Sequence, residues 1–305
     1  MIVRKREHWF KMLFVWHGSV LPQLLPRLGM LFLFSVVVVY FHGTMFSYKV
    51  PLNPAPFTLF GFVLALFLGF RNHASYERFW EGRKLWGALL NIMRSLTRQM
   101  LTLPRHLPDQ SMPEFLDLLA AFVFALKHQL RGTDPQSDLK KRLGAVAFET
   151  VMSARYKPAA ILGFVGIWVK KRRDAGDIDS VQQARFDENL DKLTDVLGGC
   201  ERIQSTPIPY SYRVLLHRTI YIYCFLLPFG LMDSLDWFTP CIVVFIAYTF
   251  VAFEAIADEI EEPFGKEDND LALNSMTWMI EETIREMAGQ PIAVPEQAVR
   301  THVLD

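Results

Sequence analysis

Four apolar stretches decide what this chain can fold into. The first runs from Leu28 to Phe41 and contains the valine run Val36 to Val39. The second, Phe57 to Phe70, is broken only by Thr58, Gly61 and Gly69; the third runs from Thr219 to Met232 and the fourth from Trp237 to Phe253. A helix that crosses a bilayer needs about 20 mostly apolar residues. The first and fourth stretches reach that length through mild flanking residues. Arg71 abuts the second, and His217 and Arg218 precede the third. Short spans with polar ends suit helices that face other protein or water for part of their length. The alternative, buried core helices of a soluble protein, is disfavoured by composition: 51% of residues are hydrophobic and 21% charged, where soluble chains carry about a quarter charged. The 32 basic and 32 acidic residues cancel, which argues against a nucleic-acid partner. Cys200, Cys224 and Cys241 show no CxxC spacing, so neither a disulfide framework nor a zinc knuckle is indicated.

Charge placement orients the spans. The N-terminal flank carries Arg4, Lys5, Arg6, Lys11 and Arg27, the loop after the first span only Lys49, and the Asp233–Asp236 loop no base at all. Basic bias marks cytosolic flanks, so both termini are expected inside. Residues Trp9 to His17 are amphipathic and no small-residue cleavage site follows, which predicts a retained interfacial segment rather than a signal peptide. The organisation expected is an N-terminal segment with two spans (1–70), a cytosolic helical region (71–213), two further spans (214–257) and a cytosolic C-terminal segment (258–305).

From Arg71 to Arg213 the pattern is helical. Tyr76, Phe79, Trp80, Leu85, Trp86, Leu89 and Leu90 recur at three- and four-residue steps, as an amphipathic helix requires, and the second span is expected to run straight into this helix as far as Met100. Further helices are expected over Pro113–Arg131, Leu139–Ala154 and Ala159–Arg173. Another starts near Asp179, with Phe186, Leu190, Leu193 and Leu197 as its stripe and Gly198-Gly199 as a stop signal. The apolar runs Leu118–Leu126 and Ala159–Val169 are too short to span lipid and read as core helices of an intracellular bundle.

Enzyme signatures are missing: there is no phosphate loop, dinucleotide fingerprint, zinc-protease or nucleophile-elbow motif. His217-Arg218 reads as a helix-end or ion-pair feature rather than a catalytic dyad. The sharpest charged constellation is acidic. Glu254, Asp258 and Glu261 share one helix face, either solvated or able to hold a cation through oxygen ligands. Glu267, Asp268 and Asp270 follow a Pro263-Phe264-Gly265 turn and form a better candidate cation site, being on a loop. The second span carries two ridges at four-residue spacing: Gly61, Ala65 and Gly69 are small and permit close helix approach, while Phe62, Leu66 and Phe70 are bulky. A ring of such helices packed on the small ridge would point the bulky one at a central axis, giving a dry constriction that gates ions by dewetting. Lipid-facing or core packing in a monomer is the other reading of the same spacing.

Longer motifs then resemble a known family. Leu66-Phe67-Leu68-Gly69-Phe70-Arg71-Asn72, with Tyr76, Arg78 and Glu81 to Gly87 behind it, resembles the bacterial branch of the bestrophins. So do Gly199-Cys200-Glu201-Arg202-Ile203, Thr206-Pro207-Ile208-Pro209, Leu216-His217-Arg218-Thr219 and Glu261-Glu262-Pro263-Phe264-Gly265. The resemblance implies an all-α integral membrane protein with four membrane-spanning helices and a large cytosolic bundle, assembled as a homopentamer around a central pore in the bacterial inner membrane. It places the hydrophobic neck on Phe62, Leu66 and Phe70, and a cytosolic aperture on Val181. No cofactor is implied; the partners are further copies of the chain, the lipid bilayer and small inorganic ions. Animal members carry an unbroken acidic run after the Pro-Phe-Gly turn that contributes to a calcium-sensing clasp. Here Lys266 and Asn269 interrupt it, so calcium activation does not carry over. Members pass anions or monovalent cations, and an apolar neck favours neither sign. Two other functions remain at this stage: a membrane-embedded enzyme using Glu254–Asp270 carboxylates and a divalent metal, and a non-conducting helical scaffold.

Overall fold

The structure, a computed structural model, describes residues 8–16, 18–41, 44–45, 48–49, 53–106 and 108–290. The basic flank Arg4 to Arg6, residue His17 at the end of the amphipathic segment, and positions 291–305 lie outside the described residues. The described chain is helical: α1 (Trp9–Met12), α2 (Leu21–Tyr40), α3 (Pro54–Thr102), α4 (Ser111–Arg131), α5 (Gln136–Lys140), α6 (Ala145–Ser153), α7 (Lys157–Asp174), α8 (Ser180–Ser205), α9 (Tyr210–Leu235), α10 (Thr239–Glu261) and α11 (Leu273–Met287). A two-residue antiparallel pair, β1 (Thr44–Met45) with β2 (Tyr48–Lys49), sits in the loop after α2 in the register Thr44↔Lys49. Leu21–Tyr40, Ala55–Thr102 and Tyr210–Glu261 are long and apolar enough to cross a membrane, and the last comprises two helices, α9 and α10.

The helices group into two compact units. One comprises the described residues up to Phe79 with Pro207–Glu262; the other comprises Trp80–Thr206 and the described residues from Pro263. The first division therefore falls at 79/80, nine residues beyond the last apolar residue of the second span, because α3 continues without a break. In the first unit α2 packs on α10 and α9. Leu24, Leu28 and Leu31 of α2, Leu64 and Leu68 of α3, Cys224 of α9 and Ala247 of α10 form one apolar core. Pro22 and Pro240 occupy the first turns of α2 and α10, where the missing N–H costs nothing. The Asp233–Asp236 segment, expected as a loop, is helical to Leu235 and followed by one turn of 3-10 helix, Asp236–Phe238. Asp236 makes the corner with φ 46°, the one non-glycine residue with positive φ among those described.

In the second unit α4 is the central helix. Every residue from Leu118 to Leu126 is buried, because α5, α7, α8 and α11 all pack on it. Phe115 packs on Trp168 at a tilt of 41° with 4.5 Å between ring centroids and meets Phe186 edge-on at 6.1 Å. Arg142 lies 3.6 Å above the Phe124 ring and donates to both oxygens of Glu281, at 3.2 and 2.6 Å. Asp179 caps α8: its carboxylate accepts the Gln182 N–H while the Gln182 side chain accepts the Asp179 N–H, satisfying two otherwise orphaned donors.

Two sequence expectations are corrected here, and one helix is added. The helix expected over Leu139–Ala154 is two, α5 and α6, divided at Gly144, whose extended backbone (φ −63°, ψ 156°) cannot continue a helix. Gly198-Gly199 does not stop α8, which runs on to Ser205. Gly199 is there for approach rather than for a turn: a Cβ on it would lie 2.9 Å from both methyls of Leu85. Finally α11 was not foreseen, although Leu273, Thr277, Ile280 and Ile284, all buried, have helical spacing.

Candidate functional site

The N-terminal part of α3 presents three distinct faces. At about 100° per residue, Leu64, Leu68, Arg71 and Ser75 form one stripe, and all four are buried. Phe62, Leu66 and Phe70 fall on the opposite side and are 69%, 47% and 58% exposed. Such a bulky apolar ridge turned away from the chain's own core is what water would least tolerate on a monomer. Gly61, Ala65 and Gly69 lie between the two. Gly61 is used within the chain, since a Cβ there would come 2.8 Å from the Tyr223 hydroxyl, whereas nothing lies within 4 Å of the corresponding position on Gly69. The small ridge is therefore engaged at one end and open at the other.

Behind the bulky ridge stands an ionic brace that sequence reading missed. Arg71, taken from the sequence as the polar end of the span, is 1% exposed. Its guanidinium hydrogen-bonds the Asp258 carboxylate and lies 3.6 Å from Glu261 and 4.0 Å from Glu254. Asp258 is shared with Arg213 at 3.1 Å, and Glu254 accepts from or pairs with His217 Nδ1 at 2.8 Å. Glu261 also accepts the Ile208 N–H at 3.1 Å, and its carbonyl accepts Arg78 Nε at 3.0 Å. Asn72 donates to the carbonyls of Leu68 and Phe253, and the Tyr212 hydroxyl to that of Phe67. The acidic face Glu254, Asp258, Glu261 thus does hold a cation, and the cation is a side chain of this chain. The available signal was the spacing of three carboxylates at helical steps beside one lone arginine in an apolar run.

The loop carboxylates behave differently. Glu267 and Asp268 are exposed and Asp270 is 3% exposed. Asp270 Oδ2 accepts the Glu267 N–H at 2.7 Å and closes its own turn. Burial, reinforced by the neighbouring Glu267 carboxylate, pushes the Asp270 carboxyl up to about 6. Among the described residues no group of three or more His, Cys, Asp or Glu is placed to hold a metal ion. Of the three loop carboxylates named as a candidate cation site, Asp270 turns inward while Glu267 and Asp268 are exposed. Val181 is 69% exposed in the first turn of α8, beside the Asp179–Gln182 cap.

Comparison with known proteins agrees with this architecture. The family model for bacterial and fungal bestrophin proteins matches residues 1–286. A voltage-dependent anion channel-forming protein of Ralstonia nicotianae is 54% identical over 306 residues, covering all of both chains. One of the same description from Escherichia coli is 40% identical over 288 residues, covering 94% of each. A crystal structure of a bacterial bestrophin homolog from Klebsiella pneumoniae superposes with a TM-score of 0.84 at 39% identity, over 88% of this chain and 99% of that one.

Proposed function

The chain belongs to the bacterial and fungal bestrophin family, and on that premise we propose a passive anion channel of the inner membrane, a homopentamer in which each subunit contributes α3 to one axial pore. Its four spans are α2, the first part of α3, α9 and α10, with both termini cytosolic. The observation that carries the proposal is the exposed ridge Phe62, Leu66, Phe70 on the side of α3 opposite its buried stripe. Five copies would wall a narrow apolar neck, and such constrictions conduct only when wetted. The open small residues Ala65 and Gly69 supply the flank on which the neighbouring α3 packs. Val181, exposed at the start of α8, serves as the second constriction. Conduction of anions is supported by the description of the relatives as anion channel-forming.

The protein is no enzyme. Its candidate metal-binding carboxylates at 254, 258 and 261 are engaged by Arg71 and Arg213, and the reading requires no cofactor. The test is single-channel recording in planar bilayers. Changing Phe62, Leu66 and Phe70 together to Ala removes the dewetting barrier and should raise conductance or open probability by about tenfold. A triple variant with native conductance and gating would remove the neck from the mechanism.

A further inference from the structure

Two polar side chains continue the bulky ridge of α3 past Phe70. His73 and Glu77 follow it by three and seven residues, so at about 100° per residue both fall within about 20° of the ridge's mean direction. Their side chains are 71% and 68% exposed, and His73 Nε2 lies 3.3 Å from Glu77 Oε1. Among the described residues this is the one ion pair either makes. Charges on the neighbouring helices are committed elsewhere. Arg71 points the opposite way into Glu254, Asp258 and Glu261 of α10, while Arg213 and His217 of α9 pair with Asp258 and Glu254. The next charge on the same ridge, Lys84, is about two turns further along.

We propose that His73 and Glu77 form the selectivity ring at the cytosolic mouth of the neck, with the proton on His73 deciding whether that ring is anionic or neutral. The proposal rests on the channel reading, since it takes its direction from the ridge that faces the axis. A pore whose first charged group past the neck is a carboxylate repels anions there, and a narrow mouth with low-dielectric walls focuses that field. A histidine changes charge within the physiological pH range. At 3.3 Å from Glu77, a protonated His73 cancels the carboxylate and lowers the barrier to anions. A neutral His73 leaves one negative charge per subunit. The pair makes anion preference a function of cytosolic pH, without moving any helix.

Reversal potentials in asymmetric potassium chloride test this, with the cytosolic side taken from about pH 5.5 to pH 8. For the native channel the chloride-to-potassium permeability ratio should fall about threefold across that range. His73→Gln should hold the ratio at its low value throughout, and Glu77→Gln should raise it at every pH, because the charge of each pair moves up by one. Cross-linking of each variant establishes that the assembly is intact. A native ratio that ignores pH, a His73→Gln channel that keeps the native pH dependence, or a Glu77→Gln channel with the native ratio overturns the assignment while leaving the channel intact. A native protein that conducts at no pH sinks the channel reading and this one with it.

Discussion

Arg71 stands one residue after Phe70 in an apolar helix, with 1% of its surface exposed. A buried guanidinium is tolerable only where carboxylates and hydrogen bonds replace its water. Here a hydrogen bond to Asp258 and the nearby charges of Glu261 and Glu254, at 3.6 and 4.0 Å, do so, and the three carboxylates are themselves buried or half-buried: the side chains of Glu254 and Glu261 are 5% and 6% exposed and that of Asp258 34%. Each side of the network needs the other. Arg71→Met keeps the volume and removes the charge, leaving Glu254 and Glu261 buried without their arginine partner. The expected loss is about 3–5 kcal/mol, the usual result of deleting one partner from a buried ion pair. Arg71→Lys should lose less, since a point charge on a flexible stem satisfies one carboxylate but not three. Thermal unfolding in detergent reads both, and an Arg71→Met protein as stable as the native chain would show that the brace contributes no stability.

At the scale of the element, α3 combines roles that are usually given to separate helices, and its faces explain which parts were legible beforehand. The spacing of Phe62, Leu66 and Phe70 against Gly61, Ala65 and Gly69 identified both ridges, since helical periodicity is a local property of sequence. The same logic found α4, α7 and α8 and would have found α11 from Leu273, Thr277, Ile280 and Ile284. What local pattern does not contain is the partner. Arg71 looked like the end of a span because an isolated arginine in apolar sequence usually is one, and its carboxylates lie more than 180 residues away. Gly198-Gly199 looked like a stop because a glycine kept for the approach of Leu85 is spelled the same way as one kept for a turn. The turn carboxylates misled for a related reason: charge spacing does not reveal that Asp270 is spent on the Glu267 N–H. Gly69 carries the prediction at this scale. With nothing within 4 Å of its added Cβ, Gly69→Leu fits the isolated subunit but blocks the neighbouring helix of a ring. Cross-linking should show loss of the proposed pentamer, with helical circular dichroism unchanged and subunit stability altered by less than about 0.5 kcal/mol. A Gly69→Leu protein that still cross-links to pentamers would place the subunit contact on another face.

For the molecule as a whole, folding stability depends on proton uptake, and two carboxyls outside the spans act in opposite directions. Asp138 is held down to about 2, chiefly by its hydrogen bond with His128 and further by Lys127, against the opposing effect of burial. Its stabilisation is complete above the ordinary carboxylate value and is lost progressively as pH falls from 3.8 to about 2, so it is constant in mildly acidic solution. Asp270 is raised from 3.8 to about 6, first by burial and then by Glu267, while the Glu267 N–H and Arg131 pull the other way. A raised carboxyl binds more protons folded than unfolded between those two values, so stability must fall as pH rises from about 4 to about 6 and stay reduced above it. Two pKa units correspond to about 3 kcal/mol at most. Asp270→Asn keeps the acceptor for the Glu267 N–H and removes the charge. The variant should unfold at a higher temperature than the native protein at neutral pH, match it near pH 4, and show no slope in between. The comparison cancels groups common to both proteins, so the difference curve isolates residue 270. A difference that stays flat from pH 4 to pH 7 would mean that the buried carboxyl is ionised at no cost, and that the turn after Phe264 holds a compensating positive charge.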